Sequence, residues 1–357
     1  MRVGITYNVK HPQELSGDNG NVPVDDQAEW DDPETIQAII AALSQYHEVI
    51  PIEADLEAYD KLRRWRPDIV FNIAEGKFGA SRELQIPALL EMLKIPYTGS
   101  DPLTLGICLD KSRAKEILTY HHIATAKFSV VQSLPLDGHL EHLDYPLFVK
   151  PIFEGSSKGI WNDALVNNFA ELTMCVQRIW RTYSQPALVE EYLPGREFTV
   201  SLLGNGPRLR VLPIVEISFD GLPDDLNKFY SYEVKWISDR RVNPAKLYGD
   251  PKALDSVLQT KIEELCKRAF YCLNCRDWCR IDIRLNAAGE PCIMELNPLP
   301  GLIPDPAYPD CFVKAGLEAG LSYDELVLAV LEEACLRLKL APKATVALDY
   351  AGSEIRA

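Results

Sequence analysis

Two segments near the C-terminal end of the chain alternate apolar and polar residues, which is the pattern of a half-buried β-strand. Residues 281–285 read Ile-Asp-Ile-Arg-Leu, and residues 293–297 read Ile-Met-Glu-Leu-Asn. Residues 286–290 between them are rich in turn formers, so the three pieces predict a hairpin. If the turn occupies about residues 287–290, a common hairpin loop length, Asp282 lies opposite Glu295.

The polar face of this hairpin carries hard oxygen ligands. Side chains two residues apart on a strand share a face, so Asn297 joins Glu295, and Arg280 joins Asp282. Proteins commonly hold Mg²⁺ by one or two carboxylates together with substrate phosphates, so this face indicates a site for a metal-bound nucleotide. An ordinary hairpin with a solvated polar face is the alternative that this motif alone leaves open.

An upstream stretch supplies groups that suit phosphate. Residues 146–151 predict a short apolar strand that ends near Lys150. Residues 154–160 follow and read Glu-Gly-Ser-Ser-Lys-Gly-Ile, a loop whose backbone N–H groups can approach a phosphate closely. The loop is not of the Walker A type, because no Gly-Lys-Ser/Thr sequence ends it.

A strand, a hinge and a second strand are predicted over residues 187–200. A hinge of this kind can offer backbone groups to an adenine edge, and Glu197 can accept hydrogen bonds from ribose hydroxyls. Taken singly, Lys150 and Glu197 are better explained as solvated residues at strand positions. Their order along the chain, together with the hairpin, is what favours a nucleotide site.

The N-terminal third alternates strands and helices. Residues 3–7, 49–52 and 69–73 predict strands, and Asp32-Pro33 predicts the N-cap and first position of a helix. This alternation indicates an α/β unit with a mostly parallel sheet. Ligands of such sheets bind at the carboxyl ends of the strands, here at Asn8 and at residues 72–79.

Taken together and in this order, the motifs resemble the ATP-grasp superfamily, and most closely the D-alanine–D-alanine ligases. The resemblance covers nearly the whole chain and extends to residues 95–100, 109–111, 229–235 and 300–301. It implies an α/β fold in which an N-terminal parallel α/β domain precedes central and C-terminal domains that sandwich ATP. We expect these units at residues 1–110, 111–188 and 189–340, followed by a tail over residues 341–357.

The resemblance implies an ATP-dependent ligase that phosphorylates a carboxylate and then joins it to an amine, with release of ADP and phosphate. It implies nucleotide contacts from Lys111, Lys150, Gly155, Ser157, Glu190, Leu193, Glu197 and Lys235. It implies two Mg²⁺ ions, or Mn²⁺ in their place, on Asp282, Glu295 and Asn297. Arg280 and the backbone N–H of Gly301 would stabilise the oxyanion of the tetrahedral intermediate, and Ser156 is the remaining catalytic candidate.

The part of the sequence that would bind amino acids departs from the family. The family's glutamate for the first substrate's ammonium has no clear counterpart, and Glu14, Glu29 and Asp31 are the candidates to replace it. Glu75 lies where the family has a His-Gly-rich segment. It is a candidate substrate contact, with a helix-capping or surface acid as an equal alternative.

Two further departures concern the second substrate. Trp236 stands where the family commonly has tyrosine and cannot supply its hydroxyl. Pro306-Ala307 stands where the family has a Ser-Leu pair that receives a substrate carboxylate. The substrates therefore stay open between two D-alanines and another amino acid or amino-carboxylate pair. A small-molecule kinase and a non-catalytic nucleotide-binding protein are the alternative functions.

Composition and charge limit the classes of molecule that we expect the protein to bind. A chain of 357 residues with 47% hydrophobic content can build two or three domains with sizeable cores. A net charge of −15 and an isoelectric point near 4.9 argue against nucleic acid or an anionic membrane as a partner. The sequence shows no apolar signal segment or membrane span, so we expect a cytoplasmic protein that acts on small amino acids. The resemblance implies a homodimer.

Three of the nine cysteines, Cys272, Cys275 and Cys279, are spaced closely enough to suggest zinc or an iron–sulfur cluster. However, Cys272 lies at the end of a predicted helix, and Cys279 directly precedes the strand that begins at Arg280. Small buried thiols suit such packing, so free cysteines are the favoured interpretation and a metal site is the alternative.

Overall fold

The computed structural model describes residues 1–11, 25, 27–132, 135, 140–220, 222–223, 226–238, 248–249 and 254–340, with backbone alone at 236–238 and 248. Glu14, the side chain of Trp236 and the expected tail over residues 341–357 lie outside this description. No α-helix among the described residues has the length and apolarity needed to cross a bilayer.

Strands and helices alternate along most of the described chain. The strands are β1 (Arg2–Tyr7), β2 (Glu48–Glu53), β3 (Ile69–Asn72), β4 (Phe128–Val131), β5 (Leu147–Pro151), β6 (Leu165–Val166), β7 (Ala187–Glu191), β8 (Glu197–Leu203), β9 (Arg210–Val211), β10 (Val215–Ile217), β11 (Tyr248–Gly249), β12 (Trp278–Leu285) and β13 (Pro291–Asn297). The α-helices are α1 (Pro33–Ser44), α2 (Ala58–Trp65), α3 (Gln85–Leu93), α4 (Pro102–Leu109), α5 (Lys111–Tyr120), α6 (Phe169–Tyr183), α7 (Ser256–Cys272), α8 (Cys311–Glu318) and α9 (Tyr323–Arg337). Short 3₁₀ helices span Arg82–Leu84, Asn162–Ala164 and Gly206–Arg208, and a π-helix spans Glu233–Ser238.

The N-terminal sheet is parallel, as its alternation with helices predicted. Its strand order is β2-β1-β3, and both pairings are parallel. Helix α1 begins at Pro33, because proline at the first helical position needs no N–H partner. Asp32 occupies the N-cap, but its side chain accepts from Lys10 at 3.0 Å instead of capping the helix.

Two antiparallel sheets follow. The first has the order β4-β7-β5-β6, and the second has the order β11-β10-β8-β12-β13 with β9 on β8. Strand β7 pairs with β4 and β5, so the first of these sheets continues through Glu191. The predicted strand, hinge and strand over residues 187–200 are confirmed, with β7 and β8 lying in different sheets on either side of the hinge.

The C-terminal helices share a core with the N-terminal sheet. Ile5 and Phe71 of this sheet lie in one apolar cluster with Phe312 of α8 and Val330 of α9. Trp278, at the start of β12, joins the same cluster, with ring centroids 5.8 Å from Phe71 and 5.3 Å from Phe312. Aromatic pairs at such distances add to the stabilisation from apolar burial, so the first and last parts of the chain are held together around β12.

A buried carboxylate beside Trp278 joins distant segments. Asp277 is fully buried and has a positive φ of 65°, a conformation that aspartate tolerates better than most residues. Its Oδ2 accepts from the Gly99 N–H and from Arg337 Nη2, both at 2.7 Å. Its Oδ1 accepts from Asn205 Nδ2 at 2.9 Å and from Arg337 Nε at 2.8 Å. One side chain thus fixes three segments relative to β12.

We predict that Asp277→Asn destabilises the protein by about 3 kcal/mol, because it removes the charge partner of Arg337 and directs an amide N–H at groups that are themselves donors. Asparagine tolerates a positive φ as aspartate does, so backbone strain does not contribute to the change in the free energy of unfolding. Urea denaturation followed by circular dichroism measures the change. The matched control is Asp60→Asn, whose side chain is 74% exposed and should shift stability by less than about 0.5 kcal/mol. Equal midpoints for the two variants would contradict the prediction.

Candidate active site

A cavity of about 630 Å³ lies between the segments that follow β1 and β3 and the β12–β13 hairpin. It brings together more than half of the site residues predicted from the sequence, namely Lys111, Gly155, Ser156, Lys235, Arg280, Glu295, Asn297 and Gly301. The remaining predicted residues do not line it: Lys150, Ser157, Glu190, Leu193, Glu197 and Asp282.

The two strands of the hairpin pair as predicted, but the turn is one residue longer than predicted and a bulge compensates for the extra residue. Asp282 lies opposite Glu295, which confirms the prediction. However, the turn spans residues 286–290 instead of 287–290, and the extra turn residue is offset by a bulge at Met294. Without the bulge, Asp282 would face Met294 and the Glu295 side chain would leave the polar face, because strand side chains alternate.

The Asp282 carboxylate is held by three side chains. Its Oδ1 accepts from Thr199 Oγ1 at 2.8 Å and from Arg280 Nε at 3.1 Å. Its Oδ2 accepts from Arg280 Nη2 at 2.9 Å and from Asn297 Nδ2 at 3.2 Å. The predicted metal ligands Asp282 and Asn297 are therefore adjacent. A cation at Asp282 and the guanidinium of Arg280 are alternative partners for the same carboxylate.

Glu295 is the ionised acid of the cavity. Its Oε2 lies 3.3 Å from Lys111 Nζ, which also donates to the backbone carbonyl of Glu154. Burial raises the pKa of Glu295, but the positive charges of Lys111, Lys150 and Arg280 outweigh burial and lower that pKa to about 2. Glu295 is therefore a carboxylate throughout the neutral range, as a ligand of a divalent cation must be.

Glu190 lies in a buried triad of charges. Its carboxylate is 2.6 Å from Lys115 Nζ and 2.7 Å from Lys150 Nζ. Burial raises the pKa of Glu190, and the two lysines lower it by more. Lys115 was not singled out from the sequence. The available signal was its helical spacing from Lys111, since residues four apart on α5 share one face.

Glu197 is paired with an arginine that the sequence analysis also missed. Arg284 Nη1 donates to Glu197 at 3.1 Å, and its Nη2 donates to the Tyr192 hydroxyl at 3.0 Å and to the Lys228 carbonyl at 2.7 Å. Burial raises the pKa of Glu197 to about 7, although Arg284 opposes the shift. The alternation of Arg280, Asp282 and Arg284 along one strand face was the signal for this residue.

Leu193 lies in a small apolar cluster at the hinge. It packs with Ala126, Cys292 and Met294. Met294 is the bulge residue, so the bulge places an apolar side chain at the hinge and Glu295 in the cavity. Predicted adenine contacts and predicted metal contacts thus depend on the same local backbone feature.

The glycine-rich loop already binds an anionic oxygen. The Gly155 N–H donates to Glu29 Oε1 at 2.6 Å, and a Cβ at Gly155 would collide with this carboxylate. Ser156 and Ser157 follow with positive φ values of 49° and 60°. The Ser157 hydroxyl donates to the Tyr230 carbonyl at 2.8 Å, which accounts for its position outside the cavity lining. The loop therefore has the geometry to accept an oxyanion through its backbone.

The acids that are candidates for binding the substrate ammonium differ in whether the protein already pairs them. Glu29 is engaged by Arg82 Nη2 at 2.6 and 2.7 Å as well as by Gly155. Asp31 and Glu75 line the cavity, as does Glu83, which the sequence analysis missed because no local pattern marks it. All four acids line the cavity, but Glu29 is paired with Arg82, whereas no ion pair among the described residues reaches Asp31, Glu75 or Glu83.

The cysteines belong to the packing around α7 and β12. Cys272 ends α7, and Cys275 and Cys279 are buried in an apolar cluster. Among the described residues, no group of three or more His, Cys, Asp or Glu side chains could hold a metal ion. The predicted Mg²⁺ site instead combines two carboxylates with an amide. This donor set fits a cation that is also bound by phosphate oxygens.

Comparisons with known proteins agree on one family. Residues 116–332 match the family model described as D-ala D-ala ligase C-terminus. The chain is 35% identical to the uncharacterized protein y4sG of Sinorhizobium fredii, over 85% of this chain and 88% of that one. It is 33% identical to a D-alanine–D-alanine ligase of Chromohalobacter salexigens, over 74% and 77% of the two chains. The fold resembles the ATP-complexed D-alanine–D-alanine ligase of Bacillus anthracis, with a TM-score of 0.71, 24% identity and coverage of 95% and 98%.

We predict that the unliganded protein loses stability as the pH rises from about 6 to 8. Burial raises the pKa of Asp31 to about 8, with Asp310 and Asp32 adding to the shift and Lys10 opposing it. The folded protein then retains a proton that the unfolded chain has lost, so this contribution is complete below the ordinary aspartate pKa and disappears through pH 8. Asp31 alone should contribute a slope of at most about 1.4 kcal/mol per pH unit, and Glu83 and Glu197, whose pKa values are raised to about 7, add to it.

Urea denaturation at several pH values measures this slope. Asp31→Asn should reduce the slope, because the amide does not titrate, whereas Asp60→Asn on the surface should leave it unchanged. A slope that is the same in the Asp31 variant and in the unmodified protein would show that Asp31 does not carry the effect.

Proposed function

Since the chain belongs to the D-alanine–D-alanine ligase family, we propose that it joins two amino acids, or an amino acid and an amino-carboxylate, at the expense of ATP. A carboxylate oxygen attacks the γ-phosphorus of ATP, which forms an acyl phosphate and releases ADP. The amine then attacks the acyl carbon, loses a proton and displaces phosphate. The observation that carries the proposal is the ionised Glu295 in a cavity beside Lys111 and Arg280.

Positioning and charge neutralisation account for most catalysis of phosphoryl transfer. We assign phosphate contacts to Lys111, Lys150 and Lys235, and to the loop at Gly155. Lys150 and Lys111 both lower the pKa of Glu295, which supports our assignment of these lysines to a phosphate beside the metal. The Gly155 N–H, which binds the Glu29 carboxylate here, supports this assignment because phosphate presents the same kind of oxygen.

We place the nucleoside end of the site at the hinge between β7 and β8. We assign the adenine contact to Glu190 and Leu193, next to the apolar cluster that contains Met294. We assign the ribose contact to Glu197, whose pairing with Arg284 leaves one carboxylate oxygen to accept from hydroxyls. Ser157 supports the loop through its bond to Tyr230.

Asp282, Glu295 and Asn297 are the residues that would hold Mg²⁺. When bound, Mg²⁺ supplies positive charge that neutralises the transferring phosphoryl group. Arg280 and the backbone N–H of Gly301 would stabilise the oxyanion of the tetrahedral intermediate. Gly301 has no room for a side chain because a Cβ there would collide with the Asp310 carboxylate, so its backbone can approach a substrate closely. Ser156 lines the same cavity and is positioned to hydrogen-bond the substrate.

Membership of a ligase family argues against the two alternative functions, a small-molecule kinase and a non-catalytic nucleotide-binding protein. The test is phosphate release from ATP and Mg²⁺ with single and paired D- and L-amino acids, combined with mass spectrometry of the products. We expect phosphate and a condensed dipeptide in equal amounts for at least one pair. Phosphate release without a condensed product would replace the ligase by a kinase.

We predict that Glu295→Ala lowers the turnover number by roughly 10²-fold or more, because it removes the anionic ligand expected to hold Mg²⁺. Steady-state phosphate release with the best substrate pair measures the loss, and thermal unfolding establishes that the variant is folded. The matched control is Glu264→Ala on α7, whose side chain is 60% exposed. An undiminished rate in the Glu295 variant would refute the metal assignment.

A further inference from the structure

Positive groups around the amino-acid half of the cavity are paired with carboxylates of the protein itself. Arg82 holds Glu29 through contacts of 2.6 and 2.7 Å. Lys158 lies 2.8 Å from Glu154, and Lys10 lies 3.0 Å from Asp32. These three cations therefore already have carboxylate partners.

Three further carboxylates face the same space. Asp31, Glu75 and Glu83 line the cavity, and no hydrogen bond or ion pair from the described part of the chain reaches their side chains. Glu83 is only 9% exposed, so more than nine-tenths of it is buried while its carboxylate faces the cavity. A buried carboxylate without a partner is strongly unfavourable, so such an acid holds its proton until a cation comes close, and a cationic ligand would make the ionised form favourable.

The electrostatic environment of each of these three acids also favours a cationic ligand. Burial raises the pKa of Glu83 to about 7. Arg82 and Lys111 oppose the shift, and Glu29 and Glu295 add to it. Burial likewise raises the pKa of Asp31 to about 8 and that of Glu75 well above its ordinary value, with Glu83 adding to the shift at Glu75. Each carboxylate therefore feels other negative charges, and a bound cation would relieve this repulsion.

We propose that this half of the cavity takes a substrate with two positively charged nitrogen groups, such as a diamino acid. A single α-ammonium would neutralise only one of the three unpaired carboxylates. The described residues include no group of three or more His, Cys, Asp or Glu side chains that could hold a metal ion, so we infer an organic cation instead of a metal ion. Several acids in one cavity fit an organic cation that carries more than one charge.

This inference deepens the proposed function and rests on it, because it takes the cavity to be the amino-acid site. We assign the carboxylate and phosphate groups of the reaction to Arg280, Lys111 and Lys235, which line the same cavity. One substrate thus meets positive charge at its carboxylate and negative charge at its amino groups. The second amino group would distinguish this protein from an enzyme built for alanine.

The test is isothermal titration calorimetry with pairs of amino acids that differ by one charge at equal size. Ornithine is compared with norleucine, and 2,4-diaminobutyrate with norvaline, as both D and L forms, in the presence of a non-hydrolysable ATP analogue and Mg²⁺. We expect at least one diamino acid to bind about tenfold or more tightly than its uncharged counterpart. If no diamino acid in either series exceeds its counterpart, the inference is wrong.

Three variants locate the effect. Glu83→Gln, Glu75→Gln and Asp31→Asn keep the size of the side chain, and at least one of them should remove most of the preference for the diamino acid while leaving the affinity for its counterpart within about twofold. Glu57→Gln, with a side chain 78% exposed, is the matched control. A preference that survives all three cavity variants would overturn the assignment of the second ammonium to this cluster.

A turnover assay distinguishes a failure of this inference from a failure of the proposed function. Condensation of alanine-sized amino acids, without a charge preference in binding, would overturn the inference and leave the ligase intact. A charge preference in binding, with phosphate release but no condensed product from any pair, would leave the inference and overturn the ligase.

Discussion

The geometry of the site depends on how β12 is anchored at its first residues. Asp277 is fully buried, and its carboxylate holds the Gly99 N–H, Asn205 and the Arg337 guanidinium at once. The next residue, Trp278, packs between Phe71 and Phe312. Because a strand moves as a unit, fixing these two residues fixes the side chains that follow on β12, including the ones that face the cavity.

A second constraint is the pairing of β12 with β13. The bulge at Met294 returns Glu295 to the polar face and sends an apolar side chain to the cluster around Leu193. The segment before β4 secures this region, since Thr125 Oγ1 donates to the Ile293 carbonyl at 2.7 Å and the Ile293 N–H donates to Ala124 at 2.8 Å. One backbone irregularity therefore separates the apolar hinge from the charged cavity.

Charge is distributed unequally over the two halves of the site. On the nucleotide side, Glu190 is balanced by Lys115 and Lys150, and the pKa of Glu295 is lowered by the lysines and arginine around it. On the amino-acid side, burial and neighbouring acids raise the pKa of Asp31 and Glu83. The first side suits the phosphate and metal that we propose for it, and the second has acids without an ion-pair partner among the described residues.

The sequence by itself determined the elements and the family, because alternation, glycine-rich loops and residue order are local properties. It determined that Asp282 and Glu295 face each other, although the bulge was not visible in it. It could not find Arg284 and Lys115 as partners of Glu197 and Glu190, since ion pairs form between segments far apart in the chain. Only the tertiary structure decided which acids are paired within the protein and which line the cavity without a partner among the described residues, because burial and pairing depend on packing between segments far apart in the chain.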